Sequence, residues 1–256
     1  MSKGTMRMDN KRIIVVGASR GLGRGIAGAL AEDGAGVLAI GRNEGALEEL
    51  KRKSQGRVEI IAGDATNPSF VARVLSAEDP DGVFIVLGAT PVMRPIHEYR
   101  WESFCDVWNT DVKATFYWLQ DLVNKPMRAG GRIVVVSSGA ALNGSPLSGG
   151  YAPGKQAQRY LCDYMRGELA LMKRNITIQC VMPQLNPNTE LGRVGVAGYA
   201  ARAGEDPAEY VKKRFGDKPL SPQIAGAEMV RLLDDDGLLT KQEFVLAGTG
   251  LKPLEK

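Results

Sequence analysis

The sequence predicts one large α/β domain built around a parallel β-sheet. The chain has 256 residues, a length that such a domain often reaches on its own. Its hydrophobic fraction of 44% is enough to bury a sizeable core. Short apolar runs alternate with longer segments of helical period, and this alternation favours parallel strands joined by right-handed helical crossovers.

Seven short apolar runs, most of them rich in β-branched residues, are the predicted strands. Continuous apolar runs are typical of strands that are buried on both faces of a sheet. In chain order the runs are Arg12–Val16, Val37–Ile40, Val58–Ile61, Val83–Leu87, Arg132–Val136, Ile176–Val181 and Phe244–Leu246.

Six segments between these runs have a helical period and are the predicted helices. The last one has a well-marked start, because Ser221 can cap the helix and Pro222 suits its first turn. In chain order the segments are Leu22–Glu32, Glu44–Lys53, Pro68–Leu75, Glu102–Ala129, Gly154–Met172 and Pro222–Leu233.

The chain is predicted to consist of a polar, flexible lead over residues 1–10 and a single domain over residues 11–256. Within the domain, the segment 183–219 has no clear strand and contains frequent Gly and Ala. An insertion of this length in a compact domain is usually a lid or a binding loop. We therefore expect it to bind the substrate, and its composition indicates a flexible, rather apolar lid that does not bind an anion.

Composition and charge exclude several classes of function. No apolar run approaches the roughly 20 residues that a membrane helix needs, and the first ten residues lack the apolar stretch of a signal peptide. The sequence therefore predicts a cytoplasmic protein without a membrane partner. Cys105, Cys162 and Cys180 lack metal-site spacing and are odd in number, which argues against a metal site and a disulfide framework. The 33 basic and 29 acidic residues are interspersed, so the net charge of +4 does not indicate nucleic-acid binding.

The first predicted strand runs into a glycine-rich turn that is followed by a helix. In this position glycines let the backbone approach a nucleotide pyrophosphate, and the helix N-terminus offers free N–H groups and a partial positive charge. Glycines also serve turn conformation alone, which is the alternative interpretation. The residues predicted to hold the cofactor here are Gly17, Ser19, Arg20, Gly21, Leu22 and Gly23.

The ends of the second and third strands indicate which dinucleotide binds. An acid after the second strand normally holds a free ribose 2′-hydroxyl, but Arg42 and Asn43 stand there. The guanidinium of Arg42 suits a phosphate, and Arg20 can approach from the other side, so the sequence predicts NADP(H). The alternative is that Arg42 is only a solvated cation at a helix start. After the third strand, Asp64 and Ala65 are expected near the adenine, unless Asp64 only stabilises a turn.

A serine, a tyrosine and a lysine are spaced as an acid–base device. Ser138 follows the fifth predicted strand, and Tyr151 and Lys155 are four residues apart, so they share one face of a helix. A lysine ammonium stabilises a neighbouring phenolate and so suits the phenol to proton transfer near neutral pH. With Ser138 holding the substrate oxygen and a hydride donor nearby, such a device reduces a carbonyl.

With the Gly-x3-Gly-x-Gly turn, the serine and the Tyr-x3-Lys pair at these spacings, the chain resembles the short-chain dehydrogenase/reductase superfamily of the classical type over Arg12–Gly250. The resemblance implies a single Rossmann-fold domain with a seven-stranded parallel sheet and helices on both faces. It also implies hydride transfer at the nicotinamide, with Tyr151 as general acid/base, Lys155 on the nicotinamide ribose and Ser138 on the substrate oxygen. The implied partners are a small carbonyl or alcohol substrate and further copies of the chain, as a homotetramer or a dimer.

The chain departs from the family pattern after the fourth strand and in the long helix that follows. Leu87-Gly88-Ala89-Thr90 stands where the family has Asn-Asn-Ala-Gly, so Gly88 and Ala89 can contact the adenine ribose only through their backbone. The family's fourth catalytic residue is an Asn in the next helix. The spacing to Ala114 places Asp111 at that position, and Asn109 is the less favoured alternative. An Asp there would strengthen the ammonium of the catalytic lysine and disfavour the tyrosine phenolate.

A third departure follows the sixth strand. The family has Pro-Gly and then a Thr that contacts the nicotinamide carboxamide. Here Pro183 is followed by Gln184 and Leu185, and Thr189 comes one residue late. Pro183 and Thr189 are still expected to contact the cofactor, and Gln184 and Leu185 to contact the substrate, although Gln184 suits a surface loop equally well.

Further residues are assigned by their position in the family pattern. Met93 and the segment Leu191–Tyr199 are expected to shape an apolar substrate pocket. His97, the one histidine of the chain, is expected in a surface loop, which excludes histidine-based hydrolysis. Core or subunit packing is expected for the three tryptophans, which are Trp101, Trp108 and Trp118.

Together these features predict an NADP(H)-dependent oxidoreductase that interconverts a ketone or aldehyde and an alcohol. One alternative is a non-catalytic dinucleotide-binding sensor or interaction protein on the same scaffold. A second alternative is an epimerase or dehydratase, which the short C-terminal region argues against. The identity of the substrate does not follow from the sequence.

Overall fold

The computed structural model describes residues 7–125 and 127–255, and these residues form one eight-stranded sheet. The strands are β1 (Arg12–Val16), β2 (Gly36–Gly41), β3 (Val58–Ala62), β4 (Gly82–Ile85), β5 (Gly131–Val136), β6 (Ile176–Pro183), β7 (Glu243–Ala247) and β8 (Gly250–Pro253). Their order across the sheet is β3-β2-β1-β4-β5-β6-β7-β8. The first seven are parallel, as predicted, and β8 pairs antiparallel with β7.

Helices connect the strands. The α-helices are α1 (Gly21–Glu32), α2 (Glu44–Lys53), α3 (Pro68–Ala77), α4 (Trp101–Val107), α5 (Lys113–Asn124), α6 (Ala140–Asn143), α7 (Tyr151–Leu171), α8 (Glu190–Ala203), α9 (Pro207–Phe215) and α10 (Pro222–Asp234). Short 3-10 turns lie at Ile96–Glu98 and Asp236–Leu238. None of the helices in the described ranges is both long and apolar enough to cross a membrane.

Both faces of the sheet are covered, as the continuous apolar strands predict. Ile13 and Val15 of β1 belong to the core that α1, α2 and α10 complete. Ile14 and Val16 belong to the opposite core, which α3, α5 and α7 complete. The alternation arises because successive side chains of a strand point to opposite faces.

A close contact between α1 and α10 fixes the position of α1. A Cβ on Gly25 would lie 2.3 Å from the carbonyl oxygen of Pro222, and a Cβ on Gly226 would lie 2.6 Å from the carbonyl oxygen of Gly25. The two glycines therefore let the helix backbones touch, and the N-terminus of α1 is held against the carboxyl edge of the sheet.

β8 and the break in the long fourth helix were not predicted. β8 has only four residues, begins with Gly250 at a φ of 106° and ends with Pro253, so it offers no apolar run to detect. The predicted helix Glu102–Ala129 is divided by a π-helical turn over Trp108–Val112. Such turns are frequent at functional sites, and this one carries Asp111.

The segment 183–219, expected to be a flexible lid, contains the two helices α8 and α9. They enclose a small core of Val196, Ala200 and Tyr210. The sequence does not predict α8, because its glycines lower the helix propensity of the segment. The structure requires two of them. A Cβ on Gly192 would lie 1.6 Å from the carbonyl oxygen of Asn186, and a Cβ on Gly198 would lie 2.8 Å from the side-chain Cβ of Met93.

Part of the predicted lead of residues 1–10 is packed against the domain. Residues 1–6 lie outside the described ranges. Met8 is buried and its backbone N–H donates to the carbonyl of Asp33 at 3.2 Å. The packed chain therefore includes residues before Lys11.

Candidate active site

A cleft of about 940 Å³ opens at the carboxyl ends of the parallel strands, where open α/β sheets bind their ligands. Asn43, although predicted to contact the cofactor, does not line it, and its side chain instead caps α2 by accepting from the N–H of Ala46 at 3.0 Å. The predicted cofactor residues that do line it are Gly17, Ser19, Arg20, Gly21, Leu22, Gly23, Arg42, Asp64, Ala65, Gly88, Ala89, Tyr151, Lys155, Pro183 and Thr189.

The glycine-rich turn has the shape of a cradle that side chains would fill. Gly17 has a φ of 89°, and a Cβ there would lie 2.0 Å from the carbonyl oxygen of Val86. A Cβ on Gly23 would lie 2.2 Å from the carbonyl oxygen of Gly17. No side chain caps the N-terminus of α1 and no acid lies in its first turn, so its partial positive charge faces the cleft. These features fit the pyrophosphate of a dinucleotide.

The cationic side chains near this turn differ in their surroundings. Arg42 is exposed, and its charge helps to lower the pKa of Asp64. The larger cause of that lowered pKa is a hydrogen bond from the backbone N–H of Thr66, which Oδ1 of Asp64 accepts at 2.9 Å. Asp64 therefore both stabilises a turn and lines the cleft.

Arg20 lies differently from the arrangement that the sequence predicts. Its Nη1 is 2.5 Å from Oε2 of Glu190 at the start of α8, so in this structure Arg20 contacts the lid segment. Both side chains are more than half exposed, and an ion pair of this kind adds at most about 1 kcal/mol to stability.

The serine, the tyrosine and the lysine all line the cleft. Tyr151 is the first residue of α7 and Lys155 lies one turn later. The Nζ atom of Lys155 lies 5.5 Å from the centroid of the Tyr151 ring and donates to the carbonyl of Leu87 at 2.8 Å. Ser138 lines the same cleft, and its Oγ accepts from the N–H of Ala140 at 3.2 Å.

Asp111, rather than Asn109, is the residue that the π turn brings to the lysine. Oδ2 of Asp111 lies 2.8 Å from Nζ of Lys155, and both side chains are 1% exposed. Its Oδ1 accepts from the backbone N–H of Ala89 at 2.9 Å. Asn109 is exposed and does not line the cleft.

Two buried side chains that sequence reasoning missed support this arrangement. Gln158 donates to the carbonyl of Asp111 at 3.3 Å and to Oγ1 of Thr115 at 2.7 Å. The hydroxyl of Ser137 donates to the carbonyl of Lys155 at 2.7 Å. Gln158 lies one helical turn after Lys155, so its place on the same face was a signal that the sequence offered.

The electrostatics of the lysine follow from its burial and its partner. Burial alone would lower the pKa of Lys155, but the charge of Asp111, with a smaller effect of Tyr151, raises it above its ordinary value of 10.5. Lys155 is therefore a fixed cation beside the tyrosine at neutral pH.

The substrate end of the cleft contains most, but not all, of the predicted residues. Ser138, Gln184 and Leu185 line it. Met93 does not line it and instead packs against Gly198 of α8. Of the predicted segment Leu191–Tyr199, both end residues line the cleft, and the hydroxyl of Tyr199 lies 2.5 Å from that of Ser145.

The hydroxyl of Thr189, which the family pattern assigns to the nicotinamide carboxamide, is engaged in a helix cap, whereas the side chain of Asn186 has a free donor. The hydroxyl of Thr189 caps α8, because it accepts from the N–H of Gly192 at 3.0 Å and donates to the carbonyl of Asn186 at 2.9 Å. The side chain of Asn186 is buried and lines the cleft, and its Nδ2 has no partner among the described residues. A free amide donor there suits a carbonyl oxygen, such as that of a nicotinamide carboxamide.

The remaining candidates lie away from the site. The side chain of His97 is 78% exposed and lies 3.7 Å from Glu98, as a surface position predicts. Trp118 is fully buried, whereas Trp101 and Trp108 are exposed. Within residues 7–125 and 127–255, no group of three or more His, Cys, Asp or Glu side chains is placed to hold a metal ion.

We expect Asp111→Ala to destabilise the fold by about 3–5 kcal/mol, because it leaves the buried ammonium of Lys155 unpaired. Since the pKa of Lys155 is raised, the stabilisation is fully present below its ordinary value of 10.5 and is lost as the pH rises through the raised pKa of the folded protein. The difference in the free energy of unfolding between the parent protein and the variant should therefore become smaller at alkaline pH. Urea unfolding at several pH values measures it.

Asp121→Ala is the matched control, because Asp121 forms a partly exposed i,i+4 pair with Lys125 at 3.2 Å, and helix pairs of this kind contribute only about 0.3–0.5 kcal/mol. Equal losses in the two variants would contradict the assignment of a buried, tightly paired Lys155.

Comparison with known proteins agrees with this geometry. A family model described as short chain dehydrogenase matches residues 11–193. A dehydrogenase/reductase SDR family member 4 from Bos taurus is 29% identical, with 96% of this chain and 89% of that protein covered. A 3beta-hydroxysteroid dehydrogenase from Mediterraneibacter gnavus is 27% identical, with 80% of this chain and 79% of that protein covered.

Solved structures show the same fold. Xylitol dehydrogenase bound to NAD+ superposes with a TM-score of 0.82 at 21% identity, covering 94% of this chain and 99% of that chain. L-Sorbose reductase from Gluconobacter frateurii, in complex with NADPH and L-sorbose, superposes with a TM-score of 0.79 at 22% identity. The superposition covers 96% of this chain and 98% of that chain. Since the family model spans well over half of the sequence, the chain belongs to the short-chain dehydrogenase/reductase superfamily of oxidoreductases.

Proposed function

We propose that the protein is an NADP(H)-dependent oxidoreductase that interconverts a ketone or aldehyde and an alcohol. The observation that carries the proposal is the buried ammonium of Lys155 beside Tyr151, in a cleft that Ser138 also lines. A phenol next to a fixed cation is suited to give and to take a proton, and a hydroxyl beside it can hold the substrate oxygen.

The cleft fits a nicotinamide dinucleotide on two observations. Side chains at Gly17 and Gly23 would fill the space beside the N-terminus of α1. The side chain of Asn186 lines the same cleft, and its amide nitrogen has no partner among the described residues. The cofactor, when bound, supplies the hydride.

The chain's own residues divide the proton chemistry. The hydroxyl of Tyr151 gives a proton to the substrate oxygen in reduction and takes one in oxidation, while Ser138 donates a hydrogen bond to that oxygen. Lys155 stabilises the phenolate. The carboxylate of Asp111 holds Lys155 in its charged form.

Tyr151→Phe should lower kcat/KM for NADPH-dependent ketone reduction at least about 100-fold, because it removes the proton donor. Tyr160→Phe is the matched control, since Tyr160 lies on the same helix outside the cleft and the change removes only its hydroxyl. A spectrophotometric assay of NADPH oxidation with a panel of ketones and aldehydes measures the effect. Turnover that survives in Tyr151→Phe would contradict the assignment.

The same assay separates the enzyme from its main alternative. A parent protein that binds NADPH tightly but reduces no member of the panel would favour a dinucleotide-binding sensor on this scaffold. The complete set of Tyr151, Lys155 and Ser138 in the cleft supports the enzyme.

NADP(H) is proposed on the strength of Arg42. It lines the cleft at the end of β2, where an acid would otherwise hold a ribose 2′-hydroxyl. The related folds are found with both cofactors, since the xylitol dehydrogenase structure contains NAD+ and the L-sorbose reductase structure contains NADPH. The choice therefore depends on this chain's own residues.

Arg42→Asp should weaken NADPH binding by at least about tenfold, since a charge-assisted hydrogen bond to a phosphate contributes about 1.5–3 kcal/mol, and should not weaken NADH binding. Fluorescence titration with both cofactors measures this. Arg52→Asp is the control, because Arg52 is exposed on α2 and does not line the cleft. Equal loss of both cofactors in Arg42→Asp would refute the preference.

We also propose that the protein is a homo-oligomer and that subunits meet at the α5/α7 face. This face is defined by the exposed aromatic side chains of Trp108, Phe116, Tyr160 and Tyr164. Clustered exposed aromatics are typical of protein interfaces.

Tyr164→Asp should shift the assembly toward the monomer in sedimentation velocity, because it places a charge within the apolar contact. Leu239→Asp is the control, since Leu239 is an exposed apolar residue outside the α5/α7 face. A parent protein that sediments as a monomer would refute the oligomer, and an oligomer that Tyr164→Asp leaves intact would refute this interface.

A further inference from the structure

We propose that the substrate carries an anionic group, a carboxylate or a phosphate, which Arg202 and Arg214 bind in the cleft. The inference rests on the proposed oxidoreductase function and narrows its substrate class. It replaces the sequence-based expectation of a lid that does not bind an anion.

The two lid helices present the same combination of side chains to the cleft. α8 contributes Tyr199 and Arg202, and α9 contributes Tyr210 and Arg214. In each helix the aromatic residue and the arginine are three or four positions apart, so they lie on one helix face. The cleft wall therefore carries two guanidinium groups beside two aromatic rings.

Arg202 and Arg214 have no anionic partner in the part of the chain that the structure describes. Neither makes an ion pair with any residue of the described ranges, whereas two nearby carboxylates already have partners. Glu190 lies 2.5 Å from Arg20, and Glu205, three residues after Arg202, lies 2.6 Å from Lys213. In the same cleft, Lys155 is likewise neutralised by Asp111 at 2.8 Å.

Contacts of the lid hold this wall in place. The guanidinium carbon of Arg214 lies 5.2 Å from the centroid of the Tyr210 ring, a cation–π contact that orients the group. The hydroxyl of Tyr199 lies 2.5 Å from that of Ser145, which ties α8 to the segment before α7. The arginines therefore lie in the same cavity as Ser138 and Tyr151.

These features match a carbonyl compound with an apolar body and an anionic end. A guanidinium presents a planar set of donors that fits the oxygens of a carboxylate or a phosphate. Two unpaired cations in a concave wall also raise the local concentration of anions. Leu185, Phe215 and the two tyrosines belong to one apolar cluster and also line the cleft. They suit an aromatic or aliphatic segment between the anion and the carbonyl.

Calorimetric titration of the Tyr151→Phe protein in the presence of NADPH reads binding without turnover. The ligands are β-benzoylpropionate, its neutral methyl ester and dihydroxyacetone phosphate, which separate a carboxylate source from a phosphate source. The Arg202→Gln/Arg214→Gln double variant is compared with Arg193→Gln/Lys212→Gln. Arg193 and Lys212 lie on the same two helices, are exposed and do not line the cleft.

We expect one of the anions to bind at least about tenfold more tightly than the neutral ester, and the double variant to abolish this difference while the control variant keeps it. Equal affinity for acid and ester, no binding of either anion, or an unchanged preference in the double variant would overturn the proposal. A loss of NADPH affinity in the double variant as large as its loss of affinity for the anion would also overturn the proposal, because the arginines would then bind the cofactor.

The titration is repeated without NADPH, and turnover of the ketone panel is assayed in the parent. A protein that binds the anion through the arginines but reduces no carbonyl would refute the proposed function and leave the anion site intact. A protein that reduces neutral ketones without any preference for anions would refute the anion site and leave the proposed function intact.

Discussion

The buried ion pair between Lys155 and Asp111 is the constraint on which the rest of the site depends. Two opposite charges that are 1% exposed are tolerated only when hydrogen bonds satisfy their remaining atoms. Here the carbonyl of Leu87 accepts from the lysine and the N–H of Ala89 donates to the carboxylate. The pair thus ties the π turn, α7 and the end of β4 together, and it does so through backbone groups. This explains why the segment after β4 can lack the asparagine side chains of the family pattern.

Much of this arrangement could be predicted because it is local. An i, i+4 spacing places Tyr151 and Lys155 on one face of any helix, and a continuous apolar run predicts a strand regardless of its neighbours. The assignment of Asp111 over Asn109 followed from spacing alone, and the structure brings Asp111 to the lysine. The bond from Gln158 to the carbonyl of Asp111 belongs to the same pattern, one helical turn later.

What could not be predicted depends on contacts between distant segments. The π turn at Trp108–Val112 and the strand β8 leave no periodic signal. Sequence order placed Arg20 beside the cofactor phosphate, but only the position of α8 shows that Glu190 reaches it. In the same way, only the structure shows that the hydroxyl of Thr189 caps α8 and that the amide nitrogen of Asn186 is left without a partner among the described residues.

The lid shows why composition is a poor guide to binding chemistry. The segment 183–219 is rich in Gly and Ala because α8 packs closely against Asn186 and Met93, not because the chain there is unstructured. Once it is helical, the period of each helix decides which cations face the ligand: Arg202 and Arg214 line the cleft, whereas other basic residues of α8 and α9 do not. The net charge of +4 is uninformative about this, since Lys155 and Arg20 in the same cleft are already paired. The sign of the electrostatic potential in the cleft is therefore set by the charged side chains that have no ion-pair partner. These can be identified only from a structure that shows which charges are paired.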